Sequence, residues 1–162
     1  MAKQSATHGK YKGVIVSKTD IRKLKAKYIE RKKELTDFIV LRFQQIGEEA
    51  VKIAREVGSY HDVTGNLRSS IGYLILVDGK AVITGESKQY AGSQGDGSKG
   101  VAEAQQLMQK LKAKYPWGIV LILCAGMEYA AFVENVKHKD VLTSAEHTAE
   151  NLVKQLIGNL ID

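Results

Sequence analysis

One short stretch carries the clearest local signal in this chain: Thr64-Gly65-Asn66-Leu67-Arg68-Ser69-Ser70-Ile71. Its first three residues form a turn signal, because Gly65 can adopt a positive φ without steric cost and Asn66 tolerates one. Leu67, Ser69 and Ile71 then begin an alternating strand pattern, and the chain stays apolar from Tyr73 to Val77. The stretch therefore predicts a turn that leads directly into a β-strand over residues 68–77.

Three further signals follow along the chain. Asp78-Gly79 is a strong two-residue hairpin signal ahead of a second strand, Lys80–Thr84. Tyr90–Gly100 contains four glycines and is predicted to be a mobile loop. Trp117–Ala125 is continuously apolar and rich in β-branched residues, which predicts a central strand buried on both faces. We therefore expect a small antiparallel sheet.

Helical periodicity marks four segments of the sequence. The longest extends from residue 19 to residue 57 and is followed by Gly58, a typical helix stop. Apolar residues at spacings of three and four predict further helices at 101–114, 128–135 and 142–161. The predicted fold class is α+β, with a long N-terminal helix, a small antiparallel sheet containing a β-hairpin, and two or three further helices packed on it.

The length of 162 residues suits one compact domain. We expect a basic, flexible N-terminal arm over residues 1–18 and a single α+β domain over residues 19–162. Within that domain, the long helix occupies 19–57 and the sheet and remaining helices occupy 67–161. The apolar Val14-Ile15-Val16 in the arm is either a short edge strand or a segment that becomes ordered only against a partner.

The positive charge of the chain is concentrated at its start. Residues 1–33 contain 11 Lys and Arg but only two acidic residues, a net charge of +9, whereas the other 129 residues have a net charge of −3. Basic arms commonly contact polyanions, because neutralising a phosphate releases counterions. The alternative is a solvated helix face and a disordered tail without a polyanionic partner. The candidate DNA-proximal residues are Lys3, Lys10, Lys12, Lys18, Arg22, Lys23, Lys25, Lys27, Arg31, Lys32 and Lys33.

Cysteine usage and hydropathy exclude several classes of protein. Cys124 is the only cysteine, so an intrachain disulfide is excluded and a reducing compartment is favoured. The apolar run around it is too short to span a membrane, and the first 30 residues are charged where a signal peptide needs an apolar core. We expect a soluble protein that is not exported and has no membrane partner.

No strong catalytic or metal-binding pattern stands out. The four histidines lack His-x-x-x-His or Cys-x-x-Cys companions, so neither a metal nor another cofactor is predicted. One hydrolase hypothesis uses His61 and Asp62 with Ser69 or Ser70 as the nucleophile, but no nucleophile-elbow motif accompanies them. The glycine-rich run at 92–99 lacks the Gly-Lys-Ser/Thr order of a phosphate-binding loop. We expect no enzyme activity.

A second informative stretch begins about 55 residues after the first: Gly126-Met127-Glu128-Tyr129-Ala130-Ala131-Phe132-Val133-Glu134. On a helix, Tyr129, Phe132 and Val133 would share one face, since they are spaced at i, i+3 and i+4. Glu128 and Glu134 would point outward on different faces, so they do not converge as an acid/base pair.

The succession of long helix, turn, hairpin and Tyr-Ala-x-Phe-Val-Glu helix, over roughly residues 35–160, resembles the small neck or tail-completion proteins of long-tailed bacteriophages. These proteins join the DNA-filled head to the tail. In that family the Glu is often followed by Gly-Thr and later by Pro-Phe-Leu-x-Pro-Ala. Here Glu134 is followed by Asn135-Val136, and the later stretch, 140–145, has neither proline.

The resemblance implies a structural virion protein of a tailed phage or prophage, present in the neck of the virion and in the host cytoplasm during assembly. It would form part of a ring around the DNA channel, with partners among its own copies, the connector or stopper proteins and the tail-terminator proteins, and with nonspecific DNA contact through the arm. Structural rather than catalytic roles are implied for Thr64, Gly65, Asn66, Leu67, Arg68, Tyr129, Phe132 and Glu134. The alternative is a sequence-nonspecific nucleic-acid-binding module that uses the basic N-terminal arm.

Overall fold

The structure is a computed structural model. It describes residues 5–7, 14–16, 19–85 and 88–161. The chain forms two compact units, Met1–Asp37 and Phe38–Asp162. The fold is α+β, as the sequence predicts, with a long N-terminal helix, a three-stranded antiparallel sheet and further helices.

The first unit contains two very short strands. Strands β1 (Ser5–Thr7) and β2 (Val14–Val16) pair antiparallel, with Ala6 opposite Ile15. Of the two interpretations of residues 14–16 offered by the sequence, the short strand is therefore the one observed.

Helix α1 (Ile21–Glu56) begins in the first unit and ends in the second. Its start is capped by Asp20, whose carboxylate accepts the backbone N–H groups of Arg22 and Lys23 at 3.0 and 3.4 Å. The predicted helix over 19–57 is confirmed to within two residues at each end. The buried residues of α1 all lie in its last eleven positions: Ile46, Gly47, Ala50, Val51, Ala54 and Arg55.

The sheet of the second unit has the strand order β4-β3-β5, in which β3 is Ile71–Val77, β4 is Lys80–Thr84 and β5 is Ile119–Ala125. The predicted hairpin is confirmed, since Asp78 and Gly79 both have positive φ, 48° and 76°, and join β3 to β4. The strand predicted over 68–77 is confirmed only from Ile71 onwards.

Residues 66–70 are not part of that strand. They form a short helix, α2 (Asn66–Ser70), because the N–H groups at its start are bonded to a nearby carboxylate rather than to a neighbouring strand. The predicted central position of 117–125 is also wrong. β3 lies in the centre and its first six residues are buried, whereas β5 lies at an edge and is mostly half-buried. An apolar run alone cannot distinguish these two positions.

Three helices complete the second unit: α3 (Ser98–Lys112), α4 (Ala130–Asn135) and α5 (Thr143–Ile161). Their predicted positions are confirmed with small shifts of the ends. The core has two parts on opposite faces of the sheet. The larger part includes the buried residues of α1 and α5 with Ile71, Tyr73 and Ile75, and the smaller includes Leu74 and Leu76 with Met108 of α3. The alternation along β3 divides its side chains between the two parts.

Candidate functional site

The predicted turn is held in place by a carboxylate. Asp62 accepts the backbone N–H groups of Leu67 and Arg68, at 3.3 and 2.8 Å, and so satisfies two unpaired donors at the start of α2. Gly65 has φ 75°, as the sequence predicts, and a Cβ at this position would lie against the carbonyl oxygen of Tyr90. The turn therefore requires glycine for two reasons, its backbone conformation and its close approach to another segment.

The glycine-rich segment predicted to be a mobile loop instead packs against this turn. The backbone N–H of Gln94 donates to the carbonyl of Val63 at 2.9 Å, and that of Gly100 donates to Oδ1 of Asn66 at 3.1 Å. A Cβ at Gly92 would meet the backbone of Val63. The glycines thus allow two backbone segments to approach closely, a role that composition alone does not distinguish from flexibility.

Ser70 connects the two informative stretches of the sequence, which we call the first motif (Thr64–Ile71) and the second motif (Gly126–Glu134). It is fully buried, and its hydroxyl donates to the carbonyl of Leu67 at 2.8 Å and accepts the N–H of Met127 at 3.4 Å. The carbonyl of Ser70 also accepts the N–H of Gly126 at 3.0 Å. The start of the second motif is therefore bonded directly to the end of the first.

Ser69 joins the turn to Tyr90. The Tyr90 N–H donates to Oγ of Ser69 at 2.8 Å, and Ser69 is fully buried. Since the hydroxyls of Ser69 and Ser70 are both buried and bonded to backbone groups, neither is presented to a substrate. The Asp62 carboxylate is bonded to α2. A catalytic triad of His61, Asp62 and a serine would also need the carboxylate to orient His61. These residues therefore do not form the triad considered in the sequence analysis.

Two guanidinium groups share the ring of Tyr90. The Cζ atoms of Arg55 and Arg68 lie 5.3 and 5.8 Å from the ring centroid, within the range of cation–π attraction. Burial raises the pKa of Tyr60, and the nearby Arg68 guanidinium partly offsets that rise. The Tyr60 hydroxyl donates to the carbonyl of Ala54 at 3.0 Å. Arg68, a motif residue, thus has a structural role.

Arg55 is the main structural residue that the sequence does not reveal. It is only 9% exposed, and its Nη2 donates to the carbonyl of Ile71 at 2.7 Å. Burial lowers the pKa of Arg55, although Tyr90 opposes this effect. In the described part of the chain no carboxylate pairs with it. The one available signal was its spacing, four positions after Val51 on the buried side of α1.

The aromatic residues of the second motif are less buried than a shared core face would require. Burial and the nearby Asp62 charge raise the pKa of Tyr129, and the Thr64 side chain opposes this rise. Phe132 is 50% exposed, and Nζ of Lys137 lies 5.7 Å from its ring centroid. Tyr129 therefore lies near Asp62 and Thr64, whereas Phe132 is largely available at the surface.

Glu134 caps the last helix. Its Oε1 accepts the backbone N–H groups of Leu142 and Thr143 at 3.0 and 2.8 Å, and the Thr143 hydroxyl at 2.7 Å. Burial acts to raise the pKa of Glu134, but these hydrogen bonds outweigh it and hold the pKa below its ordinary value. The expectation of an outward-pointing Glu134 is therefore corrected: its carboxylate fixes the start of α5, where the sequence lacks the prolines of the resembled family.

Of the eleven candidate DNA-proximal residues, seven lie in the part of the chain that the structure describes. Lys3, Lys10, Lys12 and Lys18 lie outside the described residues. The others are exposed on α1: Arg22, Lys23, Lys25, Lys27, Arg31, Lys32 and Lys33. Of these seven, only Arg31 forms an ion pair within the described chain, with Glu34 at 2.8 Å. Surface cations without carboxylate partners make this part of α1 a positively charged surface.

The same part of α1 exposes an apolar stripe. Ile21, Leu24, Tyr28 and Leu35 follow helical spacing and are between 46% and 69% exposed. Four large apolar residues on one exposed helix face are more than the scattered apolar groups normal for a surface. The stripe is therefore a candidate interaction surface.

The second candidate surface is an apolar groove of about 710 Å³ beside β5. Its lining includes five consecutive residues of β5, from Ile119 to Leu123, so the groove follows the strand. Helix α1 contributes Phe43, helix α5 contributes Val153, and the residues before α5 and β5 contribute Leu142 and Tyr115. In the described residues no strand lies beyond β5.

Comparison of the chain with protein-family models, curated proteins and solved structures finds no match. Across residues 19–85 and 88–161, no three His, Cys, Asp or Glu side chains are grouped as they would be around a metal ion. No helix in the described part of the chain is both long and apolar enough to cross a membrane.

Proposed function

We propose that this chain is a structural virion protein of a tailed phage or prophage, a neck or tail-completion component that joins the head connector to the tail. The observation that carries the proposal is the pair of apolar surfaces left exposed by one small chain, the α1 stripe and the β5 groove. Two different exposed apolar surfaces suit a protein that functions as part of an assembly.

The two surfaces also suit a ring. A contact between unlike surfaces of identical subunits is heterologous, and repeating it around an axis produces a closed ring when the rotation between neighbours closes. The roles of the motif residues fit a structural protein, because Ser70 and Glu134 each connect separate segments of the second unit. In the ring, the partners are further copies, a connector or stopper, and a tail terminator.

The test is the solution mass of the purified protein, measured by light scattering after size exclusion at low and high salt. We expect a discrete multimer that persists at high salt, because its contacts are apolar. Leu24→Asp should reduce the mass toward that of one chain, whereas Gln105→Asp, an exposed change on α3, should not. A wild-type monomer at every concentration and salt would overturn the proposal.

A second candidate function is sequence-independent nucleic-acid binding by the basic part of α1. The observation that favours it is the exposure of seven cations between Arg22 and Lys33, six of them without a carboxylate partner among the described residues. Binding to double-stranded DNA should then weaken steeply with salt, and replacing Lys23, Lys25 and Lys27 by glutamine should reduce the slope of log K against log salt. A binding constant insensitive to these changes would exclude this candidate.

A further inference from the structure

In the part of the chain that the structure describes, no strand pairs with the outer edge of β5, so this edge presents unpaired backbone groups. On either side of the β3–β5 ladder, Gly126 N–H donates to Ser70 at 3.0 Å and Asp78 N–H donates to Gly118 at 2.8 Å. Hydrogen-bonded pairs alternate along an antiparallel ladder, so the even-numbered residues of β5 bond to β3. Its odd-numbered residues, Ile119, Leu121 and Leu123, therefore turn their N–H and C=O groups toward the open edge.

Such an edge is a template for another strand. Seven residues long, β5 carries no charge that would discourage pairing, and the apolar groove runs along the same edge. A strand added there would satisfy the backbone groups of β5 and place its alternate side chains in the groove. The occupant that fits this edge is thus an extended, apolar segment.

The chain itself contains such a segment in its first unit. Strands β1 and β2 pair over only three residues each, and a two-stranded hairpin of this size is marginal in water without a further strand or a packing surface. β2 is Val14-Ile15-Val16, three β-branched residues suited to a strand position. In the described residues β2 has β1 on one side only, which leaves its second edge open.

The charges around the β5 groove and around strand β2 are complementary. Glu146 and Glu150 line the groove, and Glu150 is paired with Lys154 at 2.7 Å. Within residues 19–85 and 88–161, Glu146 has no cationic partner. In the sequence, β2 is flanked by Lys12 and Lys18, so it would bring positive charge to this carboxylate.

We infer that the open edge of β5 receives strand β2 of a second copy of the chain, which adds Val14–Val16 to the sheet as a fourth strand. This inference rests on the proposed function and identifies one contact of the ring. The contact is heterologous, because one copy contributes β2 and the other contributes β5.

Disulfide trapping tests the contact directly. Adjacent strands place facing Cα atoms about 4.5–5.5 Å apart, which lies within the range a disulfide can span. In a Cys124→Ala background, one copy carries a cysteine at position 14, 15 or 16, and a second copy, distinguished by an affinity tag, carries a cysteine at position 119, 121 or 123. Mild oxidation of the mixture should link the two copies in at least one combination.

The matched control replaces the β5 cysteine by Lys110→Cys, on an exposed turn of α3, and should give no linked product. A charge at the contact provides an independent readout. Ile15→Asp should reduce the fraction of multimer severalfold, whereas Thr7→Asp on the more distant strand β1 should reduce it less.

The outcomes separate this inference from the proposed function. A multimer with no trapped pair and unaffected by Ile15→Asp would overturn the β2–β5 contact and leave the ring in place. A linked product that forms only between copies carrying the same cysteine would also overturn it. A wild-type monomer with no trapped pair would overturn both.

Discussion

One carboxylate oxygen of Glu134 binds Thr143 twice, lying 2.7 Å from its hydroxyl and 2.8 Å from its backbone N–H. The bond joins the end of the short helix α4 to the start of α5 across nine residues. Two donors at a helix N-terminus are thereby satisfied by a residue from outside that helix. The second motif therefore contributes to stability at a distance from its own helix.

Glu134→Gln should destabilise the second unit. The amide loses the charge that strengthens these hydrogen bonds, so we expect a loss of about 1–2 kcal/mol in the free energy of unfolding. Denaturant unfolding followed by circular dichroism measures it. Glu128→Gln is the control, because Glu128 is exposed and its change should stay within about 0.5 kcal/mol. Equal losses in the two variants would contradict the capping role.

The same residue should make stability depend on acid. The folded-state pKa of Glu134 is held below its ordinary value, so the folded protein binds the proton less readily than the unfolded chain. Its contribution is complete above the ordinary pKa of 4.5 and is lost as the pH falls through the lower, folded-state value. Comparing wild type with Glu134→Gln over this acid range should show the difference in unfolding free energy shrinking as the pH falls. A constant difference would exclude this linkage.

Gly65→Ala should be strongly unfavourable. A side chain at φ 75° is strained, and its Cβ would meet the backbone of Tyr90, which cannot move as a flexible side chain can. We expect a loss above about 1 kcal/mol in thermal or denaturant unfolding.

Gly158 on α5 gives the matched control, because a Cβ there meets nothing within 4 Å. Gly158→Ala should stabilise the helix by about 0.5–1 kcal/mol. The two alanine substitutions should therefore have opposite signs. A neutral Gly65→Ala would mean that the turn is not fixed as described.

Arg55→Met should reduce stability by removing the hydrogen bond to Ile71 and the stacking on Tyr90. The carbonyl of Ile71 would lose this partner, with a cost of about 1–3 kcal/mol in the free energy of unfolding. Arg42→Met is the matched control, since Arg42 is an exposed arginine on the same helix that stacks on Phe38. A loss for Arg42→Met as large as that for Arg55→Met would show that burial is not the cause.

Cys124 should be unreactive in the folded protein. Burial raises the pKa of its thiol to about 11, so the reactive thiolate is scarce at neutral pH and the side chain is also shielded from reagents. Labelling with a thiol reagent should be slow under native conditions and fast in denaturant. Rapid labelling of the native protein would show that β5 opens at the sheet edge.

Features set by neighbouring residues could be predicted from the sequence. The Asp78-Gly79 hairpin and the positive φ at Gly65 are properties of the residues themselves. The path of residues 66–70 could not be predicted, because an alternating pattern there also suits a helix whose first N–H groups are bonded to Asp62. The glycine-rich segment was interpreted as mobile because composition does not show what a glycine lies against.

By itself, the sequence determined the α+β class, the helix ends and the hairpin, because caps, turns and periodicity act over a few residues. The tertiary structure alone decided that β3 rather than β5 is central, that Arg55 lies against Tyr90, and that Ser70 bonds to Met127, 57 positions later. These relationships depend on which distant segments share the core. Local propensity contains no information about that choice.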